Sequence, residues 1–124
     1  MVDINNHLEV KALSESCQIL SDTLNMVEKN IFPGQSVIEL DKIAEDYIIS
    51  CNAKPAFKGY EGFPATLTVS IDDEIVHGIP KNIILKEGQI ISIDCGVIKN
   101  DFYSDSARTI AVGKISDEKQ KLLD

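Results

Sequence analysis

The chain has 124 residues, 44% hydrophobic and 26% charged, a balance that fits one small folded domain and argues against disorder or two full domains. Twelve lysines and arginines against 20 aspartates and glutamates leave a net charge of −8, which argues against nucleic acid and anionic membrane surfaces as partners, since both need clustered positive charge. No apolar run reaches the roughly 20 residues of a membrane span, and the opening MVDINNHLEV lacks the basic and apolar regions of a secretory signal.

The first predicted element is a helix from about Asn6 to Glu28, with Leu13, Cys17, Leu20, Leu24 and Val27 as its apolar stripe. Phe32-Pro33-Gly34 stops it. A second helix is expected from Ser36 to near Asn52, opened by a Ser36/Glu39 capping box. Its apolar face is Leu40, Ile43, Ala44, Tyr47 and Ile48, and Glu39, Asp41, Glu45 and Asp46 read as a capped, solvated face. Residues 53–66 hold two prolines and two glycines and read as a loop. That loop nevertheless carries Phe57, Tyr60 and Phe63, three of the chain's seven aromatics. It either packs back on the core or builds a pocket wall.

From Leu67 the period changes to two. Strands are expected at Leu67–Asp72, at Ile75–Pro80 around His77, at Ile91–Val97, and at Phe102–Val112 after a turn at Lys99-Asn100-Asp101. Ser116-Asp117-Glu118 begins a third helix, acidic where the dipole favours acid. The chain stops inside that helix at Asp124, as a truncated domain would. The expected class is α+β, with two one-sided helices covering an antiparallel sheet. Cys17, Cys51 and Cys95 form no C-x-x-C and suit a reduced cytosolic compartment rather than a disulfide framework.

The hairpin brings two carboxylates together. A Lys99-Asn100 loop sets Asp94 directly opposite Asp105, with Cβ atoms ~4.5–5.5 Å apart; an Asn100-Asp101 loop sets them on the diagonal, ~7–8 Å apart. Like charges so placed need a shared proton or a cation, unless one aspartate points to solvent. Two hard oxygen ligands suit a divalent ion, and paired ions ~3.5–4 Å apart are a common hydrolytic arrangement. Cys95 reads as a core residue rather than a nucleophile. Histidine in a setting like that of His77 is more often structural than catalytic, and His7 reads as solvent-facing.

The segments PGQSVIELDKIA, PAFKGYEGFPAT, SIDDEIVHGIP, LKEGQIISIDCG and DFYSDSARTIAVG, in that order, resemble the N-terminal half of type I methionine aminopeptidase, from the first helix to the end of the chain. The resemblance implies the pita-bread fold, two pseudo-symmetric halves around a dinuclear metal site. It implies removal of the initiator methionine from N-terminal methionyl peptides or nascent chains in the cytoplasm. Residues 1–124 would be the N-terminal half of that catalytic domain. Asp94 matches the bidentate metal-ligand aspartate, Asp105 the aspartate bridging both metals, and His77 the histidine near the scissile bond. Tyr60 and Phe63 match positions lining the methionine pocket, with Phe57 and Thr68 in the same wall. The cofactor implied is two divalent ions, of cobalt, manganese, iron or zinc. The family's other ligands, one histidine and two glutamates, come from a second half with no matching positions here. The chain alone is therefore expected to bind metal weakly and to show no measurable turnover.

One departure stands out. Asp101-Phe102-Tyr103-Ser104-Asp105 replaces the family's G-F-H-G-D and leans toward relatives that cleave before proline, whereas PAFKGYEGFP and VHGIP retain the methionine pattern. The alternative function is a non-catalytic pita-bread module that binds peptide or protein. An uncovered strand edge and apolar face would also favour self-association of a half-domain.

Overall fold

The computed structural model describes residues 7–72, 80 and 82–123. The expected strand around His77, apart from Pro80, lies outside the described residues, as does the side chain of His7.

Helix α1 spans His7–Lys29, with Glu9 in its first turn and Lys29 in its last, both signs favourable to the helix dipole. Leu20, Leu24 and Val27 are buried as the periodicity predicts, but Cys17 is exposed and Ser16 is buried in its place. The reason is polar. The Ser16 hydroxyl lies 3.3 Å from the Val97 carbonyl, 3.0 Å from that of Phe102 and 2.8 Å from the Ser104 hydroxyl. This knot ties α1 to the hairpin and turns the buried face toward Ser16.

Helix α2 spans Val37–Ser50 and buries Val37, Leu40, Ala44 and Ile48. The capping box does not form: the Ser36 side chain makes no cap hydrogen bond. Instead Ser36 donates its N–H to the Gln35 side-chain oxygen at 2.9 Å, and Val37 donates to the Ile83 carbonyl at 2.9 Å. An antiparallel bridge between Ser36 and Ile84 holds this helix start, so pairing with a distant segment replaces the local cap.

The sheet consists of β1 (Lys54–Pro55), β2 (Leu67–Ile71), β3 (Ile90–Lys99) and β4 (Phe102–Ala111), and a third helix, α3, spans Asp117–Leu123. All pairings among the described strands are antiparallel. β3 is central, with β4 along one edge and β2 and β1 following each other along the opposite edge. Ile91, Ile93, Cys95 and Val97 of β3 point into a core shared with α1 and α2. The expected α+β arrangement of two helices on an antiparallel sheet is present. The sequence did not mark the two-residue β1 or the 3-10 turn at Tyr60–Gly62 inside the aromatic loop.

Asn100 and Asp101 form the β3–β4 turn with φ of 51° and 68°. Lys99 pairs with Phe102, Gly96 with Asp105 and Asp94 with Ala107. This is the second of the two possible registers. A two-residue hairpin loop matches the sheet twist when both central residues have positive φ, a conformation that Asn and Asp tolerate better than Lys. Lys99 instead donates to the Cys51 and Asn52 carbonyls at the end of α2, at 2.8 and 3.2 Å. Glycine is the favoured second residue of such a turn, so Asp101→Gly should stabilise the chain by up to about 1 kcal/mol. Urea unfolding should show a raised midpoint at unchanged slope, and a lowered midpoint would contradict the turn assignment.

Candidate active site

One face of the sheet meets the helices, and the other bears the polar members of the alternation. Thr68, Asp94 and Ala107 form one row across β2, β3 and β4. Gly96 and Asp105 form the next row, and Ile98 and Tyr103 the one after. Asp94 and Asp105 therefore share a face on the diagonal, and both are exposed on it.

The electrostatics of the pair are unfavourable. Partial burial pushes the Asp94 carboxyl above its ordinary range, and the charge of Asp105 pushes it the same way. The Tyr103 hydroxyl donates to Asp105 at 3.1 Å. Burial, that hydrogen bond and the nearby aspartate charges raise the tyrosine in turn. The ion pairs of the described residues are Lys58–Glu45, Arg108–Glu28 and Lys119–Asp72, so no described cation compensates Asp94 or Asp105. Two uncompensated carboxylates on one face are hard oxygen donors that fit a divalent ion. Among the described residues no group of three or more His, Cys, Asp or Glu could hold a metal, so the described part of the chain offers two ligands.

The aromatic loop forms a pocket wall and not a core plug. Tyr60 is 71% exposed, while Phe57 and Phe63 are half-buried. Phe57, Tyr60, Phe63, Pro64 and Thr68, with Glu61 and Gly62, line a cavity of about 470 Å³. A neighbouring cavity of about 510 Å³ shares Phe57 and Tyr60 and adds Ala56, Ile98 and Tyr103. The cavities flank the carboxylates, because Thr68 pairs with Asp94 and Tyr103 bonds Asp105. The tight turn of the wall depends on left-handed backbone at Gly59, Glu61 and Gly62, with φ of 87°, 49° and 81°. A 2.8 Å bond from the Gly59 N–H to the Phe63 carbonyl closes it. Thus the structure brings together Phe57, Tyr60, Phe63 and Thr68 on one side and Asp94 with Asp105 on the other, while His77 lies outside the described residues.

The acidic side of α2 differs from the sequence expectation. Glu39 and Asp46 are exposed, but Asp41 accepts the backbone N–H groups of Thr66 and Leu67 at 3.0 and 2.7 Å. Glu45 pairs with Lys58. Burial is the largest influence on Asp41 and raises its carboxyl, against the lowering effect of the two N–H groups. The one sequence signal was the four-residue spacing of Asp41 and Glu45, which places them on one helix face.

Cys95 is fully buried, and burial, followed by the charge of Asp41, pushes its thiol up to about 12. With so little thiolate it is a poor nucleophile. Iodoacetamide at pH 8 should label the exposed Cys17 in the native chain and reach Cys95 only on unfolding. Peptide mass mapping would reveal it, and native labelling of Cys95 would show the core to be open.

The family profile described as Metallopeptidase family M24 matches residues 11–124. The methionine aminopeptidase of Clostridium acetobutylicum is 48% identical over 124 residues, which span 99% of this chain and 50% of that protein. The methionine aminopeptidase of Borreliella burgdorferi is 51% identical over 116 residues, 94% of this chain and 46% of that protein. Among solved structures, the methionine aminopeptidase of Thermotoga maritima superposes with a TM-score of 0.91 at 31% identity, covering 99% of this chain and 50% of that one. The prolidase of Pyrococcus furiosus shares the fold with a TM-score of 0.75 at 22% identity, covering 94% of this chain and 33% of that one. The chain spans about half the length of the curated relatives it matches.

Proposed function

The chain belongs to metallopeptidase family M24, and from that premise we propose that it supplies one half of the active site of a methionine aminopeptidase. Residues 1–124 are read as the N-terminal half of the catalytic domain, its reaction being removal of the initiator methionine from methionyl peptides or nascent chains. The observation that carries this reading is the adjacency of an apolar pocket to a pair of uncompensated carboxylates: Thr68 lines the pocket and pairs with Asp94.

Each residue has a proposed task. Phe57, Tyr60 and Phe63 surround an unbranched apolar side chain and exclude water from it, and Thr68 adds a hydroxyl at the pocket edge. Asp94 and Asp105 would hold two divalent ions, drawn from cobalt, manganese, iron or zinc, with further ligands from outside this chain. Such ions, when bound, supply an acidified water and polarise the scissile carbonyl. Tyr103 fixes the orientation of Asp105 through its 3.1 Å hydrogen bond. His77 is assigned to substrate alignment near the scissile bond. The three cysteines, none in a C-x-x-C, favour a cytoplasmic setting, and no described helix is long and apolar enough to cross a membrane.

The test joins this chain to the half of the Clostridium acetobutylicum relative that it does not match. With manganese or cobalt the chimera should release methionine from Met-Ala-Ser, and Asp105→Asn should lower the rate by about 100-fold or more. The isolated chain should release none. A folded, metal-loaded chimera that leaves Met-Ala-Ser intact would refute the aminopeptidase reading in favour of a binding module, whose peptide affinity should be indifferent to Asp94→Asn. Among the described strands none pairs with the outer edge of β4, so the isolated chain should self-associate. A monomeric elution volume at high concentration would argue against that.

A further inference from the structure

Three polar ties hold the pocket loop to the rest of the molecule. At its entry, the Ala56 N–H donates to the Gly96 carbonyl at 2.9 Å. Near its middle, the Lys58 ammonium meets Glu45 of α2. At its exit, the N–H groups of Thr66 and Leu67 converge on one carboxylate oxygen of Asp41, one turn away from Glu45 on the same helix. Thr66 and Leu67 are both fully buried, so water is not at hand to replace that oxygen. Among the described residues the Thr66 hydroxyl has no partner, and the carboxylate holds this buried residue through its backbone N–H. Donors to an ionised oxygen make shorter and stronger bonds than donors to a neutral one. The residue after this grip is Thr68, which both lines the pocket and stands opposite Asp94.

We propose that Asp41, assisted by Glu45, is the positioning residue of the methionine pocket. By fixing Thr66 and Leu67 to α2, it sets the place of Thr68 and so the depth of the pocket and its alignment with Asp94. Asp41 does this from behind the wall: it is absent from the pocket lining. The proposal rests on the reading of this cavity as the site of a thioether side chain, and it adds the element that decides how well that side chain fits. The reach is long in sequence, 25 residues from Asp41 to Thr66. It makes α2, otherwise a packing helix, part of the specificity apparatus.

The test uses the ¹⁵N-labelled chimera, in which the half from the relative completes the domain, and L-methioninamide as the probe, with L-alaninamide as the control ligand. In the wild type, methioninamide should shift the Phe63 and Thr68 amide resonances saturably, and alaninamide should not. Asp41→Ala should weaken methioninamide binding about tenfold or more. It should also speed amide exchange at Thr66 and Leu67 while Val69 and Ile93 keep their protection. Asp41→Asn, which retains a neutral acceptor, should fall between the two, and Glu39→Ala on the exposed side of α2 should match the wild type. Unchanged methioninamide affinity in folded Asp41→Ala overturns the proposal, even if its urea midpoint has dropped, because that is the mark of a merely structural residue. If Asp41→Ala does not fold, Asp41→Asn decides, and wild-type affinity there overturns the proposal equally. Absence of any methioninamide shift in the wild type overturns the pocket reading itself and this proposal with it, an outcome distinguishable from tight binding that ignores Asp41.

Discussion

Asp94→Asn should stabilise the chain in chelator and destabilise it relative to wild type in excess manganese. In chelator the reasoning starts from repulsion. Asp94 and Asp105 share one open face with no described cation between them, and burial together with the charge of Asp105 raises the Asp94 carboxyl above its ordinary value of 3.8. A carboxyl raised in the folded state binds its proton more readily there than in the unfolded chain. The charged form therefore costs stability at every pH above the raised value, and the cost disappears below about 3.8. Replacing Asp94 by the neutral amide should relieve that cost at pH 7 and change nothing through this route at pH 3. Solvent reaches the group, and screening keeps the gain below about 1 kcal/mol.

Manganese reverses the sign. A ligand that binds only the folded chain stabilises it by about 2.7 kcal/mol at 100 times its dissociation constant. Asn at position 94 removes the charge that one of the two ligands among the described residues brings, so most of that stabilisation should vanish. Urea unfolding of both chains in EDTA and in manganese measures all four quantities. A wild type that gains nothing from manganese, or a variant that gains as much, would show that the carboxylate pair holds no ion.

How far these conclusions were legible in the sequence depends on the range of the interaction. Alternation from Ile91 to Val97 is a local signal, and β3 follows it, with Ile91, Ile93, Cys95 and Val97 inside. That Asp94 and Asp105 would converge was also legible, because either two-residue loop places them on one face. Which loop forms was not, since Lys99-Asn100-Asp101 can supply both, and the choice rests on two positive φ values. Local rules failed where a distant segment competed. Ser36 and Glu39 have the spacing of a capping box, yet residues 83–85 take over the start of α2. Cys17 was expected on the buried stripe, yet hairpin carbonyls draw Ser16 inward in its place. Asp41 looked solvated, because a carboxylate that serves N–H groups 25 and 26 residues away leaves no periodic trace. The aromatic content of residues 53–66 was visible, but that Phe57 would lie close against Gly96 is a contact that no pattern encodes.

That contact yields the second large effect: Gly96→Ala should destabilise the chain by about 1–3 kcal/mol, the usual range for overpacking a close-packed site. A Cβ built on Gly96 would lie 2.9 Å from Cε1 and 3.3 Å from Cδ1 of Phe57, and 3.0 Å from the Ala56 Cβ. The backbone at Gly96 is not left-handed, so strand conformation itself tolerates alanine and the whole cost comes from space. The loop cannot simply lift away, because the Ala56 N–H is bonded to the Gly96 carbonyl. The Phe57 ring must swing instead, and that ring lines both cavities. Gly96 also pairs with Asp105, so the displacement occurs between the pocket and the carboxylates. A double-mutant cycle isolates the cause. In a Phe57→Ala background the cost of Gly96→Ala should fall by at least half, since two of the three close contacts are gone, and the lower chain entropy of alanine offsets part of the remainder. Equal costs in the two backgrounds would mean that Phe57 does not rest on Gly96, and the pocket wall would then have to stand elsewhere on the sheet.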